Sequence, residues 1–368
     1  MNPYEIDLAA CRGRQRRLLE VMHERRLDAV IVTQQEHIQW LTGQRFAWLF
    51  SPVAAMHADG RVLLVAPAKT EPLGAIDDLR HFDAKWHSTL RNDQRAESSR
   101  VLLDALKTWP AVQHIGCEFS SFGPHLANGI EAQLHDVEPA LYRLRRRKDA
   151  DELAMIRKAI AGTERMYARA REIIRPGVTE LEVFNELQSA AVAEFDEPLT
   201  GTGNDYQCGS RGGPPRAGRK ALAGELYILD LGPAFRGYFA DNARTIAVTE
   251  ASDAQRTAWG YITQVFDHVE REVRPGKNAR ELFQEAQTIL DQAPVGVFNH
   301  HLGHGIGLFP HEAPHLNPHW DDTFEAGDVF TAEPGLYADE LRAGMRIEND
   351  YLVTENGVER LTDFSLEL

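Results

Sequence analysis

Five residues in the C-terminal half of this sequence have the types and spacing of a hydrolytic metal site. Asp230 and Asp241 flank a turn at Gly232-PAFRG, and Glu333 and Glu348 recur at the corresponding places further along the chain. Antiparallel pairing that sets Leu231 opposite Ala240 also sets Asp230 opposite Asp241. Two like charges so placed repel by about 4 kcal/mol at ~4 Å with an effective dielectric near 20. One acid can keep its proton, as in a catalytic dyad; a cation can sit between them; or the strands can slip so that both acids face water. The same pair in two equivalent positions, each on a strand with apolar neighbours, favours a shared metal site. His304 adds an imidazole in Phe298-NHHLGHGIGLFPHEAPH, where Gly303, Gly305 and Gly307 let backbone pass close to other atoms.

Four carboxylates and one imidazole are too oxygen-rich for structural zinc and suit two divalent cations, Mn²⁺ first, with Co²⁺, Zn²⁺ or Fe²⁺ compatible. A metal pair about 3.5–4 Å apart can hold a bridging hydroxide and polarise a carbonyl, which is the chemistry of amide or ester hydrolysis. Competing signatures are missing: no GxSxG elbow, no cysteine in an electropositive motif, and no lysine or dinucleotide fingerprint to make the glycine-rich stretch a phosphate loop.

The elements that must hold these residues repeat. Arg175-PGVTELEVFNELQ aligns with Arg274-PGKNARELFQEAQ, Gly224-ELYILDLG with Gly327-DVFTAEPG, and Ala240-Asp241-Asn242 with Ile347-Glu348-Asn349. Each copy reads as a turn opening a helix, capped by Thr179 with Glu182 and by Asn278 with Glu281, then a strand and a second strand. The C-terminal part is therefore expected to be two related half-domains. Upstream, an amphipathic helix over Arg16–Arg25 and β-rich runs at Asp28-AVIVTQ, Arg61-VLLVAP and His114-IGCEF predict an α/β domain. The basic run Arg143-LRRRKDADEL reads as a solvated junction before a long helix from about Ala150 to Ile174. The expected organisation is thus an N-terminal α/β domain over 1–145 and a catalytic domain over 146–368.

Composition bounds the function. The 368 residues carry a formal charge of −15, which disfavours nucleic acid and anionic membrane as partners. No apolar run approaches the roughly 18 residues of a membrane span, and the charged start leaves no room for a signal peptide, so the cytoplasm is the expected compartment. Three scattered cysteines exclude a disulfide framework. Of 15 histidines, six lie between His300 and His319, and none between His135 and His268.

Asp230 with Asp241, the GHGIG histidine with His311-Glu312-x-Pro, Glu333 in EPG and Glu348 in RIE resemble the pita-bread metallopeptidases, the group of prolidase, aminopeptidase P and methionine aminopeptidase. The stretch His23-ERRLDAVIVTQQEHIQWLTG is similar to the creatinase/prolidase N-terminal domain, so the resemblance covers essentially the whole chain. It implies an α+β pita-bread catalytic domain with an internal pseudo-twofold repeat, and an N-terminal domain serving dimerisation and closure of the substrate site. It implies Asp230, Asp241, His304, Glu333 and Glu348 as metal ligands, His300 and His311 on the substrate side, and Glu333 exchanging a proton with the bridging water. Arg346, on the same strand face as Glu348, would hold a substrate carboxylate or orient the site. His301, His315 and His319 have no such correspondence and are read as surface or packing residues.

The implied activity is hydrolysis of the Xaa-Pro bond of small peptides by a homodimer. Aminopeptidase P-type action on longer peptides, a creatinase-like hydrolase acting without metal, and a pita-bread protein turned to binding are the alternatives. The sequence departs from the family at one point. These peptidases usually place another active-site histidine where this chain has Gly209 to Gly213, within Cys208-GSRGGPPRAGRK. Tyr206, Arg211 or Arg216 is expected to replace it by donating a hydrogen bond to substrate.

Overall fold

The computed structural model describes residues 3–85 and 90–368, and the backbone separates into two compact units, Met1–Arg145 and Arg146–Leu368. The first unit is built on a six-stranded sheet. Its order is Asp78–Phe82, Val62–Pro67, Val53–His57, Ala29–Val32, His114–Cys117 and Gln133–Asp136. The Val53–His57 strand runs antiparallel to both its neighbours, and the outer pairings are parallel. Its first helix spans Leu8–Arg25 and so starts earlier than the apolar periodicity indicates. Asp7 caps it by accepting the Ala9 and Ala10 N–H groups, and its buried face includes Arg14 and Gln15, which a hydropathy pattern does not count. Arg14 Nε donates to the Trp40 carbonyl at 2.7 Å, which makes that burial tolerable.

The second unit repeats itself. A long helix, Ala150–Ile173, is followed by a turn and the helix Glu180–Phe195; the helices Asp253–Glu272 and Ala279–Leu290 stand in the same relation. Both turns pass through a glycine in the left-handed region, Gly177 at φ 91° and Gly276 at φ 93°, where a side chain would be strained. Thr179 accepts the Glu182 N–H and Asn278 the Glu281 N–H, so both shorter helices start at a side-chain cap. Behind each helix pair lies an antiparallel sheet. One holds Asp205–Cys208, Leu226–Leu231 and Asn242–Ala247; the other holds Glu312–Leu316, Gly303–Gly305, Val329–Ala332, Asn349–Val353 and Val358–Arg360. Leu229 and Leu231 pack with Val183 and Leu187 in the first half, and Phe330 and Tyr351 with Ile262 and Phe266 in the second. The halves are laced together: the Glu348 N–H donates to the Ala243 carbonyl at 2.9 Å, and Thr245 Oγ1 accepts the Arg346 N–H at 3.1 Å.

Two sequence expectations change. Leu231 pairs with Asn242 and Asp230 with Ala243, a register two residues from the expected one, because Ala234–Phe235 and Tyr238–Phe239 form a small hairpin of their own inside the turn. Since strand side chains alternate with period two, that shift keeps Asp241 on the same face as Asp230, as its diagonal neighbour. The basic run is not a solvated junction: Arg145, Arg146 and Lys148 are buried. Arg146 pairs with Asp328 at 2.6 Å and Lys148 with Glu312 at 3.0 Å, acids far along the chain that the local pattern does not show.

Candidate active site

Six strands converge on one cavity of about 310 Å³, whose lining includes Asp205, Asp230, Asp241, His304, Glu333 and Glu348. Asp230 sits within Leu226–Leu231 and Asp241 immediately before Asn242–Ala247, while Glu333 directly follows Val329–Ala332 and Glu348 directly precedes Asn349–Val353. The two repeats therefore deliver their acids at or near the ends of paired strands. His304 is the middle residue of Gly303–Gly305, a strand squeezed between two others. A Cβ on Gly303 would lie 2.1 Å from the Thr331 carbonyl oxygen, and one on Gly305 2.1 Å from that of Ala313, so only glycine fits on either side of the histidine.

The donor atoms fall into adjoining groups. Asp230, Asp241 and Glu348 bring carboxylate oxygens within 4.8 Å of one another; His301, His304 and Glu333 form a second such group, and Asp241, His304 and His311 a third. His304 Nε2 lies 3.7 Å from Asp241 Oδ2 and 3.6 Å from Glu333 Oε1. Its other nitrogen, Nδ1, donates to the Gly305 carbonyl at 3.0 Å, which leaves the Nε2 lone pair facing the acids. Burial lowers the His304 pKa to about 4, so the ring is neutral at physiological pH. Asp230 Oδ1 and Glu348 Oε2 are buried without a hydrogen-bond partner among the described residues. Orphaned carboxylate oxygens and an imidazole with a free lone pair, all facing one space, are the donor set a divalent cation takes.

The electrostatics agree with that reading. Burial, and then the charge of Asp230, push the Asp241 carboxyl well above the usual carboxylate range; burial and the charges of Asp241 and Asp230 do the same to Glu348. Glu333 behaves oppositely. Burial disfavours its charge, but the His301 hydrogen bond and the nearby His301, His304 and Arg346 hold its pKa at about 2. Five acids share one cavity; burial and neighbouring charges push Asp205, Asp241 and Glu348 towards protonation, and a positive charge among them eases the conflict.

The cavity gathers most, though not all, of the residues the sequence singles out. His300 lines it, with Nδ1 donating to the His301 carbonyl at 2.8 Å and Nε2 accepting from the Tyr337 hydroxyl at 3.0 Å. His311 stacks on His304, ring centres 3.7 Å apart and planes 13° from parallel. Arg346 lines it as well, with its guanidinium occupied by protein groups: Nη2 donates to Asp205 and, at 2.8 Å, to Asp230, and Nη1 to the Tyr337 hydroxyl at 3.3 Å. That is the orienting role; holding a substrate carboxylate would require Arg346 to leave these partners. Of the three loop candidates, only Arg211 reaches the cavity. Tyr206 is 1% exposed, its hydroxyl bonded to Gln188 and Thr202 and its ring packed edge-on against Phe184. Arg216 is turned to Glu180 and the Cys208 carbonyl, because a buried Glu180 needs a cation more than the loop needs a third donor.

His301 is a correction in the other direction. It lines the cavity, with Nε2 2.7 Å from Glu333 Oε1, rather than serving surface or packing. His315, bonded to Asp322 and stacked on Trp320, and the exposed His319 remain outside. Asp205 and Tyr337 also line the site. Asp205 carried a legible signal, an acid alternating with apolar residues in Asn204-DYQC; Tyr337, four past Glu333, carried none.

The fold is the pita-bread type, with a creatinase-type unit before it. Residues 154–355 match metallopeptidase family M24 and residues 14–146 the creatinase/prolidase N-terminal domain. The chain belongs to metallopeptidase family M24. An uncharacterized peptidase of Staphylococcus epidermidis is 32% identical over 234 residues, 62% of this chain and 66% of that one, so the chain spans just under two-thirds of that relative. The Xaa-Pro dipeptidase of Pyrococcus horikoshii is 26% identical over 96% of this chain and 97% of its own. Among solved structures, the Xaa-Pro dipeptidase from Bacillus anthracis has a TM-score of 0.84 at 22% identity, over 97% of this chain and 99% of that one. Aminopeptidase P from E. coli has 0.79 at 20%, over 97% and 95%. These structural likenesses establish the fold. The family is one of metallopeptidases, and no described helix is long and apolar enough to cross a membrane.

Proposed function

We propose that this chain is an Xaa-Pro dipeptidase whose two divalent cations, Mn²⁺ by preference, are held by Asp230, Asp241, His304, Glu333 and Glu348. The observation that carries the reading is the meeting of two repeats' acids with the Nε2 of a neutral His304 around one cavity, with buried carboxylate oxygens unsatisfied among the described residues. Bound there, two cations supply Lewis acidity towards the scissile carbonyl and towards the attacking water.

The chain's own residues do the rest. Glu333, ionised far below neutral pH and bonded to His301 Nε2, takes the proton of the attacking water and returns it to the departing nitrogen. His300 and His311 line the substrate side and steady the peptide as charge develops on its carbonyl oxygen. Arg346 fixes Asp230 from outside the ligand set. The proposal includes a cytoplasmic homodimer in which the N-terminal unit over 1–145 serves dimerisation and closure of the catalytic domain over 146–368, as the resemblance implies. It excludes nucleic acid and membrane as partners, in keeping with the charge of −15.

The test is elemental analysis of the purified protein combined with assays on Ala-Pro, Met-Pro and a longer Xaa-Pro peptide. The expected result is close to two metal equivalents with cleavage of the dipeptides. Cleavage of the longer peptide alone reassigns the chain to aminopeptidase P-type action, and full metal without hydrolysis of any of them sinks the proposal.

A further inference from the structure

Two arginines line the cavity, and only one of them has acidic partners. Asp230, Asp241, Glu333 and Glu348 together match two divalent cations, and Asp205 is matched by Arg346. Arg211 is left over. It forms no ion pair with the described residues; Nη2 donates to the neutral Asn299 Oδ1 at 2.5 Å, and its guanidinium lies over the Tyr337 ring at 4.1 Å. Neither contact neutralises it, and both fix where it stands.

The loop beneath Arg211 is built to hold that position. Gly212 and Gly213 follow at φ 135° and 122°, and the Gly213 N–H donates to Asp205 Oδ1 at 2.7 Å. A Cβ on Gly212 would fall 2.1 Å from Asp205 Oδ2, so the loop can fold against Asp205 only with glycine there. The guanidinium at the exposed edge of the cavity is therefore preorganised, and its cost of ordering is met before any ligand arrives.

We infer that Arg211 is a specificity-determining residue that binds the free terminal carboxylate of a dipeptide substrate. This rests on the peptidase reading above. Arg211 brings to the cavity a positive charge with no acidic partner among the described residues, and the carboxylate on the residue that follows the scissile bond is the anion a dipeptide brings. A guanidinium meets a carboxylate through two parallel N–H···O bonds, a geometry that a lysine cannot reproduce. An amide-capped or extended peptide leaves that charge without a partner, so carboxylate recognition would make this enzyme prefer dipeptides over longer chains.

The experiment compares kcat/KM of the metal-loaded enzyme for Ala-Pro, Ala-Leu and their carboxamides, with R211Q and R211K beside the wild type. We expect the free acid to be preferred about 10- to 100-fold in the wild type, mostly through KM. R211Q should bring that preference to within a few fold of one, and R211K should recover only part of it. Wild-type preference near one, or preference that survives R211Q, overturns the inference. Cleavage of Ala-Leu but not Ala-Pro, with the acid preference intact, sinks the Xaa-Pro reading while leaving this one standing. If none is cleaved, calorimetric binding of Ala-Pro and its carboxamide to the wild type and R211Q gives the same ratio, and equal affinities overturn the inference. An Ala-Pro-Asp carboxamide handled as well as Ala-Pro would shift the role to side-chain acids and also overturn it.

Discussion

Asp205 stands directly across the sheet from Asp230, and one nitrogen of Arg346, Nη2, donates to both. The repelling acid pair expected from the sequence thus exists, with a different partner for Asp230 and with an arginine as one of its cations. Asp205 also holds the Gly213 N–H, so a single carboxylate ties the loop to the metal-site arginine. Asp205→Asn keeps the shape and removes the charge. We expect kcat/KM to fall by about 2 kcal/mol, roughly 30-fold, from loss of one charge-assisted hydrogen bond. Arg346→Lys should fall further, because a single ammonium cannot reach Asp205, Asp230 and Tyr337 together. Unchanged kinetics in Asp205→Asn would show that the loop and Arg346 are held by something else.

The pKa directions in the cavity predict how metal and pH act on stability. Asp241 and Glu348 are raised in the folded chain, so above the ordinary carboxylate pKa of about 4 the metal-free native state keeps protons that the unfolded state has lost, and that stability is lost as pH rises through the folded pKa. His300 and His304, lowered to about 4, have the opposite slope between about 6.5 and 4, because only the unfolded chain takes up a proton there. Above pH 6.5 that contribution is complete and the acids' sign remains. We therefore expect the Tm of metal-free protein to fall as pH rises through the folded pKa values of these acids, and the rise in Tm on adding Mn²⁺ to be larger at pH 8 than at pH 6, since binding expels protons. Asp241→Asn should raise the metal-free Tm, flatten its slope and abolish most of the Mn²⁺ response. An equal Mn²⁺ response at both pH values would contradict the linkage.

What the sequence shows and hides has a physical pattern. The acids, His304 and the duplicated turn-helix-strand order are legible because their residue types recur at fixed offsets and each half needs the same backbone; Gly177 and Gly276 even share one φ region. The strand register is hidden because the Ala234–Phe239 hairpin absorbs two residues inside a turn whose length does not reveal it. His301 is hidden because it and His300 lie in the loop before Gly303–Gly305, where no periodicity says which of two adjacent histidines faces the cavity, and both do. The buried Arg146 and Lys148 are hidden because their partners, Asp328 and Glu312, lie 182 and 164 residues away. Local periodicity contains no information about such pairs.

Lys148 and Glu312 also allow a direct measurement. Their side chains are 1% and 2% exposed and their charges 3.0 Å apart, and Glu312 accepts the Phe309 N–H in the turn that leads to His311. Glu312→Gln leaves a buried ammonium facing a neutral group, and urea unfolding should show a loss of about 3–5 kcal/mol. The double variant Lys148→Met with Glu312→Leu removes both charges and should recover much of that loss, because apolar replacements of similar size cost little. A single-variant loss below about 1 kcal/mol would class the pair with exposed salt bridges.

The glycines beside His304 make the last prediction, and it separates packing from backbone propensity. Gly305→Ala puts a methyl group 2.1 Å from the Ala313 carbonyl oxygen, and backbone, unlike a side-chain end, has no rotamer to escape into. The strand must move, His304 Nε2 moves with it, and the group around Glu333 loses the His304 imidazole. We expect a stability loss of about 1–3 kcal/mol and a fall from two bound metal equivalents towards one by elemental analysis. Gly260→Ala is the control. Gly260 lies inside the helix Asp253–Glu272, and a Cβ added there would meet nothing within 4 Å, so alanine should raise stability by about 0.5–1 kcal/mol and leave metal content alone. If both variants bind metal fully and unfold like the wild type, the close fit around His304 does not control the site.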